Sequence, residues 1–519
     1  MSTLGGAMAR QPLTIELIAR GAAQHRDRIA VTFGDAALTV SEVDSLSWRL
    51  ARALLGPCGV TPGTPVALLI DNGLLSVPVD FACVRAGINR VPLNSRLSPG
   101  EHAQMLAEVQ ARHLVVGPGL EERAAELAAR VPGLELLSLG DVEPQTVPLL
   151  ELANHASDEA IQRTVSPDEV ILTLFTSGTT GTLKAARHTQ ASYAAIARNV
   201  MLNLLDPKPG DAMLHAASLI HASGVFVLPF WLRGARTVIH SAFNPVTFLA
   251  ALSSERITAV NLVPTMLAAL VDHPKFSHTD VSALQNVIYG ASPMPATLLE
   301  RAMEAWGSHR FWQYYGQTEA PLCLAVLRPE DQQLALSGVA GMPCVDVELR
   351  ILADDGSEAP AGTPGEIAVR APSAVDGYHN APELTAATFA DDGWVRTRDI
   401  GVIDEHGFLS LKDRTSDMIV TGGYNVYPLE VENALSAHPE VRECCVVGLP
   451  DNRWVEAVTA AVVIREGGKV TEPELVSFVG ERLAGYKKPK RVVFVQEIPK
   501  TAVGKLNRRI LREQLGKVQ

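Results

Sequence analysis

The run Val170-Ile171-Leu172-Thr173-Leu174-Phe175-Thr176-Ser177-Gly178-Thr179-Thr180-Gly181-Thr182-Leu183-Lys184 decides how the rest of the chain reads. Its first half is apolar and predicts a buried strand, which breaks into hydroxyl and glycine residues closed by Lys184. Gly178 and Gly181 let backbone N–H groups turn inward around an anion. Thr176, Ser177, Thr179 and Thr180 add hydroxyl donors, and Lys184 adds a point charge. That is chemistry for holding phosphate. A flexible Ser/Thr/Gly linker has a similar composition, but linkers seldom follow a strongly apolar strand. The spacing differs from G-x-x-x-x-G-K-[ST], which excludes the nucleoside triphosphatase loop of that type.

With 519 residues, 47% hydrophobic and 20% charged, the chain is globular and too long for one typical core, so two or more domains are expected. The formal charge of −12, with no long basic run, argues against a nucleic-acid partner. Cys58, Cys83, Cys323, Cys344, Cys444 and Cys445 have neither C-x-x-C spacing nor a compact disulfide framework. They read as free thiols of a reducing cytoplasm. Arg10, Glu16 and Arg20 interrupt the apolar residues near the start, and no apolar run is long enough to span a bilayer, so a cytoplasmic protein is expected.

Helix and strand patterns alternate through the first two thirds. Thr39 and Glu42 form a capping box before Val43, Leu46, Leu50 and Leu54, and Ser98-Pro99-Gly100-Glu101 opens another helix. Strands are expected at Pro65–Ile70, His113–Val116, Thr237–His240, Ile257–Val263 and Gln285–Tyr289. This predicts an α/β fold: a large N-terminal domain, 1–413, of mostly parallel sheets covered by helices, with ligands beyond the carboxyl ends of strands. Turn clusters from Gly338 onward predict a β-rich subdomain at about 338–413. After it a compact α+β pattern, 417–519, has strands near Cys444–Gly448, Ala457–Ile464 and Arg491–Val495 and a helix capped by Thr471 and Glu474. The boundary falls at 414–416.

Five further stretches carry chemistry. Ser218-Leu219-Ile220-His221-Ala222-Ser223-Gly224 offers a histidine that otherwise reads as a core residue. Tyr289-Gly290-Ala291-Ser292-Pro293 ends a strand in small residues, as a flat ring needs to approach backbone, or as an ordinary turn would. Tyr314-Tyr315-Gly316-Gln317-Thr318-Glu319 puts an aromatic face, a hydroxyl and a carboxylate in one loop. Gly393-Trp394-Val395-Arg396-Thr397-Arg398-Asp399-Ile400-Gly401 holds a carboxylate able to receive two hydroxyl donors. Near the end, Pro499-Lys500-Thr501-Ala502-Val503-Gly504-Lys505 presents a lysine that alone would be an ordinary surface residue.

In this order the elements resemble the signatures of the AMP-forming adenylating enzymes, the superfamily of acyl-CoA synthetases, adenylation domains and luciferase. The opening run resembles T-S-G-[ST]-T-G-x-P-K-G, with Leu183 for proline and Ala185 for glycine. The other matches are P-L-x-H-x-x-G, with Ser218 for proline; Y-G-x-T-E; G-W-x-x-T-G-D-x-G, with Arg398 for the usual glycine; and P-x-x-x-x-G-K. Asp413 through Glu432 resembles the hinge segment, with Ser416 where aspartate or lysine is usual.

The resemblance implies ATP, Mg2+ and CoA as cofactors and a mobile C-terminal lid turning at 414–416. It implies that Thr176 to Gly181 and Lys184 hold phosphate, that Gly290, Ala291 and Ser292 cover adenine and that Tyr315 stacks on it. Asp399 and Arg414 would take the ribose, Gly422 and Gly423 the pantetheine arm, and His221 the carboxylate pocket. Thr318 would contact the α-phosphate region, while Glu319, with Thr176, would hold Mg2+. Lys505 would serve adenylation. Arg398 sets a large cation beside the nucleotide and is expected to alter CoA approach or the resting domain pose.

The expected activity is formation of acyl-AMP and then a CoA thioester. Two alternatives stay open: delivery to the phosphopantetheine of an acyl carrier protein, and a non-catalytic nucleotide- or acyl-binding relative. His221–Phe226, Val263, Tyr289–Ala291, Gln313–Gly316 and Ala320–Leu322 contain no lysine or arginine, which favours an apolar acyl or aromatic acid over a dicarboxylate. No aspartate follows His221, which disfavours an amino acid. The small-molecule partners are therefore a carboxylic acid and CoA, and the pattern leaves room for a homodimer.

Overall fold

The computed structural model describes residues 11–140, 146–177, 183–219, 223–414, 417–421, 424–451, 453–501 and 504–517. They divide into two compact units, one drawn from Met1–Thr176, Leu183–Ala242 and Pro372–Pro382, the other from Ser177–Thr182, Phe243–Ala371 and Glu383–Gln519.

The first unit carries β1 (Ile29–Phe33), β2 (Ala36–Thr39), β3 (Pro65–Leu69), β4 (Asn89–Pro92), β5 (His113–Val116), β6 (Glu135–Ser138), β7 (Thr146–Val147), β8 (Val170–Ser177), β9 (Leu183–Thr189), β10 (Ala212–His215) and β11 (Arg236–Ile239). One sheet has the order β7-β6-β5-β3-β4-β8-β9, parallel from β7 through β8. Its strands alternate between two cores. Val66, Leu68, Val115 and Leu137 face the helices Val40–Leu55 and Ser76–Ala86, while Ala67, Leu69, Leu114 and Val116 face Pro99–Val109 and Glu121–Arg130. A parallel sheet covered on both faces explains why these strands read as unbroken apolar runs. The expected capping boxes close at Thr39/Glu42 and Ser98/Glu101. Separately, β10, β11 and β1 pair in parallel and β2 returns antiparallel.

The second unit begins with β12 (Ala259–Leu262), β13 (Asn286–Gly290), β14 (Phe311–Gln317), β15 (Ala320–Leu327), β16 (Val339–Pro343), β17 (Glu348–Leu352), β18 (Gly365–Arg370), β19 (Val395–Ile403) and β20 (Leu409–Arg414). Their spatial order is β12-β13-β14-β15-β16-β20-β19-β18-β17. β12, β13 and β14 are parallel, and every later pairing in the row is antiparallel. Antiparallel pairing thus starts at the β14–β15 hairpin, upstream of the texture change expected at Gly338.

A further sheet of the same unit contains β21 (Ile419–Thr421), β22 (Tyr424–Val426), β23 (Val441–Asp451), β24 (Val455–Ile464) and β25 (Arg491–Phe494), in the order β22-β21-β24-β23 with β25 beside β24. Val446, Val458 and Val462 bury against Pro428–Ser436 and Glu472–Gly480, and Cys445, Val447 and Ala461 against Arg508–Gly516. The Thr471/Glu474 box caps the middle helix. Glu432, buried, accepts from Arg508 Nη2 at 2.7 Å on both carboxylate oxygens and from the Val446 N–H at 2.8 Å. That pair ties the last helix to the sheet.

All six cysteines are buried free thiols. Burial pushes Cys58 up to about 11 and Cys83 and Cys444 up to about 12. No helix among the described residues is long and apolar enough to cross a membrane.

Candidate active site

In the second unit, Thr318 and Glu319 form the two-residue turn between the paired residues Gln317 and Ala320. Both are half-buried. The neck of this hairpin is tight: a Cβ on Gly316 would lie 2.0 Å from the Leu322 carbonyl oxygen, so only glycine fits. On the neighbouring strand a Cβ on Gly290 would lie 2.4 Å from the Tyr314 carbonyl oxygen and 2.9 Å from its ring. Gly290 is therefore required by the protein's own packing, independently of any ring beside it. Ala291 follows with φ 63°, and Ala291 and Ser292 are half-buried.

The strand alternation sorts the side chains beside this turn. Tyr314 is hydrogen-bonded to Asn261 on β12, and burial holds its hydroxyl well above the usual tyrosine range. Tyr289 pairs with Gln313 in register and places its hydroxyl 2.9 Å from Gln313 Oε1 and 2.8 Å from Gln332 Oε1. Tyr315 donates to Asp399 Oδ2 at 2.7 Å, and both are buried.

Asp399 sits in a bulge. Between the register pairs Glu366–Ile400 and Ala368–Arg396, β18 contributes only Ile367 while β19 contributes Thr397, Arg398 and Asp399. Bulges re-aim side chains and occur beside active sites. Here Thr397 donates to the Ile367 carbonyl at 2.7 Å and its oxygen accepts the Asp399 N–H at 3.1 Å. Arg398 has φ 61°, in the left-handed region, which costs a non-glycine residue roughly 1–2 kcal/mol. Its N–H donates to Glu366 Oε1 at 3.1 Å and its guanidinium reaches Thr388 Oγ1 at 3.4 Å.

The segment bearing Lys505 also belongs to this unit. Gly504 has φ 81°, and a Cβ there would lie 3.2 Å from Thr265 Oγ1, just past the carboxyl end of β12. The turn is closed by Thr501 N–H to Lys505 carbonyl at 2.7 Å and Gly504 N–H to Thr501 carbonyl at 2.9 Å, leaving the Lys505 residue exposed.

In the first unit, Thr176 lies on β8 and Lys184 on β9 rather than in a loop. Thr176 is half-buried, and the Lys184 ammonium stands 5.6 Å from the Tyr378 ring centroid. The segment after β10 is fastened at both ends. Asn72 donates to the Ala217 carbonyl at 2.9 Å and accepts the Leu219 N–H at 2.9 Å. His215 Nδ1 lies 2.9 Å from Ser223 Oγ. His215 is fully buried, which pushes its imidazole down to about 3.

Gly178, Thr179, Thr180, Gly181, His221, Ser416, Gly422 and Gly423 lie outside the described residues, as do the side chains of Ser177 and Arg414. Arg414 is placed through its backbone as the register partner of Asp399. Among the described residues no group of three or more His, Cys, Asp or Glu gathers into a metal cage. Glu319 would hold Mg2+ through its carboxylate oxygens, the hard donors that cation prefers, and the metal would offset phosphate charge. Glu366, Asn72 and His215 escaped the sequence reading. Glu366 left one trace, a carboxylate next to the apolar run Ile367-Ala368-Val369 of β18.

The family model for AMP-binding enzymes matches residues 18–379, and the model for the AMP-binding enzyme C-terminal domain matches residues 430–505. The chain belongs to the AMP-binding enzyme family. This AMP-binding enzyme is 37% identical over 493 residues to a feruloyl-CoA synthase of an Amycolatopsis species, covering 94% of this chain and 96% of that one. It is 34% identical over 506 residues to an indoleacetate–CoA ligase of Aromatoleum aromaticum, covering 96% and 97%. The solved structure of the anthranilate CoA ligase AuaEII with anthranoyl-AMP superposes with a TM-score of 0.90 at 26% identity, covering 98% of each chain.

Proposed function

We propose that this AMP-binding enzyme is an ATP-dependent acid–CoA ligase whose preferred substrate is a carboxylic acid bearing a flat ring. In the first half-reaction the substrate carboxylate attacks the α-phosphorus of ATP; the acyl–O–P bond forms as the bond to pyrophosphate breaks. In the second, the CoA sulfur attacks the acyl carbon, its proton goes to solvent, and AMP leaves with the anhydride oxygen.

The observation that carries this reading is the approach of the Gly504–Lys505 turn to Thr265 at the carboxyl end of β12. It brings an exposed lysine to the strand ends where ligands of such sheets bind. There the Lys505 ammonium would neutralise charge building between carboxylate and α-phosphate. Thr318 would donate to the α-phosphate, Tyr315 would stack on adenine between itself and Gly290–Ser292, and Asp399 with Arg414 would hold the ribose hydroxyls. Thr176, Lys184 and the residues between them would cradle the departing pyrophosphate. Mg2+, held by Glu319, would offset phosphate charge. After adenylation, 417–519 would turn about 414–416, withdraw Lys505 and admit the pantetheine arm beside Gly422 and Gly423.

Support for a ring acid comes from three of the relatives, named for feruloyl-CoA, indoleacetate and anthranilate, whereas others of 31–33% identity are named for fatty acids. The candidate acid-lining segments carry no lysine or arginine, which suits an uncharged ring. The decisive assay is pyrophosphate release across cinnamates, arylacetates, benzoates and medium-chain fatty acids, with CoA and with a phosphopantetheinyl carrier protein as acceptors. The expected result is the highest kcat/KM for a ring acid with CoA. A preference for fatty acids would overturn the substrate class, one for the carrier protein the acceptor, and silence across the panel the ligase itself.

A further inference from the structure

The bulge on β19 has more supports than a sheet needs. Three of its residues face the single residue Ile367, so their N–H groups cannot all find partners in the ladder. Two side chains supply what the ladder lacks: the Thr397 hydroxyl for Asp399 N–H, and the Glu366 carboxylate for Arg398 N–H. Glu366 is itself held, since its other oxygen accepts Arg396 Nε at 3.0 Å. Its side chain is only 16% exposed. Between the two supports lies Arg398, in a backbone conformation that bulges ordinarily give to glycine.

We propose that Glu366 and Arg398 are positioning residues for the nucleotide: the Glu366 carboxylate locks the left-handed turn at Arg398, and that turn aims the Asp399 carboxylate at the ribose. The inference rests on the reading of Asp399 as the ribose acceptor. Neither Glu366 nor the Arg398 backbone touches substrate in this scheme. They act through Asp399, whose second constraint is the Tyr315 hydroxyl. Without the Glu366 acceptor the left-handed turn at Arg398 loses the hydrogen bond that anchors its backbone N–H, the bulge relaxes, and Asp399 loses its direction.

The test measures binding of ATP and of 2′,3′-dideoxy-ATP by calorimetry to the full chain, which needs no acid substrate. The wild type should prefer ATP about tenfold, the worth of a charge-assisted hydrogen bond. Glu366→Ala and Arg398→Val should cut that preference to about twofold, by weakening ATP and leaving the dideoxy nucleotide unchanged. Glu366→Gln, whose amide oxygen still accepts the Arg398 N–H, and Arg398→Gly, which takes positive φ without strain, should each lose less than the harsher variant at the same position. If Glu366→Ala does not fold, Glu366→Gln and the Arg398 pair carry the comparison. A wild-type preference retained in folded Glu366→Ala and Arg398→Val overturns the positioning role alone. A wild type that binds both nucleotides equally overturns the ribose reading of Asp399 and this inference with it.

Discussion

The Tyr315 hydroxyl donates to Asp399 Oδ2 across 2.7 Å, joining β14 to the bulge on β19 through a buried hydrogen bond between residues 84 positions apart. The residue read as the adenine platform and the one read as the ribose acceptor are therefore mechanically one unit. Tyr315→Phe keeps the ring and removes the donor, leaving a buried carboxylate one partner short. The KM for ATP should rise by about ten- to a hundredfold, from the roughly 1.5–3 kcal/mol of a hydrogen bond to a charged group. The KM for the acid should hardly move. Pyrophosphate-release kinetics check this, and an equal rise in both constants would mean a general loss of fold.

Lys505→Ala should separate the two half-reactions. The lysine lies on an exposed turn closed by its own backbone, so its removal leaves the chain folded. Adenylation should fall by about a hundredfold or more, as for loss of a single stabilising donor to developing charge. Thioester formation from supplied acyl-AMP and CoA should persist. Equal loss in both assays would place Lys505 elsewhere in the cycle.

His215 gives the fold a pH dependence of definite sign. Its imidazole, pushed down to about 3 by burial, stays neutral in the folded chain at pH 5.5, while in the unfolded chain it takes up a proton near its ordinary value of 6.5. The unfolded state then binds more protons, so stability falls as pH drops below about 6.5, by roughly 1.4 kcal/mol at pH 5.5. His215→Gln should remove that increment. Urea unfolding of both proteins at pH 7.5 and 5.5 measures it; parallel losses would show His215 charged or exposed in solution.

Glu432→Gln breaks a buried ion pair on one side only. The Arg508 guanidinium, held well above its usual value chiefly by Glu432 against the cost of burial, would be left without its nearest charge. A destabilisation of about 3–5 kcal/mol is expected. Limited proteolysis should expose the last helix, Arg508–Gly516, first. Unchanged proteolysis and melting would show the pair to be replaceable by water.

The elements that sequence made legible are those built from local rules. The three capping boxes lie where a hydroxyl and a glutamate three residues apart predict them, and β5 has the predicted ends. The apolar half of the opening run is indeed a strand, though it continues through Thr176 and Ser177, and β9 takes up at Leu183. Hydroxyl residues fit an extended ladder as readily as a loop, so composition could not place that edge. The supports of the site were hidden for another reason. Glu366 acts on a residue 32 positions away and Asn72 on one 147 away, and each is an ordinary polar residue within its own segment. Arg398 shows both sides. Its departure from the family glycine was visible in the sequence, but its positive φ and its Glu366 partner came only with the three-dimensional register of β18 and β19.

The buried cysteines bear on how the enzyme can be watched. With all six thiols enclosed, and those of Cys58, Cys83 and Cys444 hard to ionise, the folded protein should be nearly silent towards a thiol-reactive dye. Consumption of the CoA sulfhydryl can then be followed by colour in the presence of active protein, and a sudden release of six extra equivalents would announce that a preparation has begun to denature.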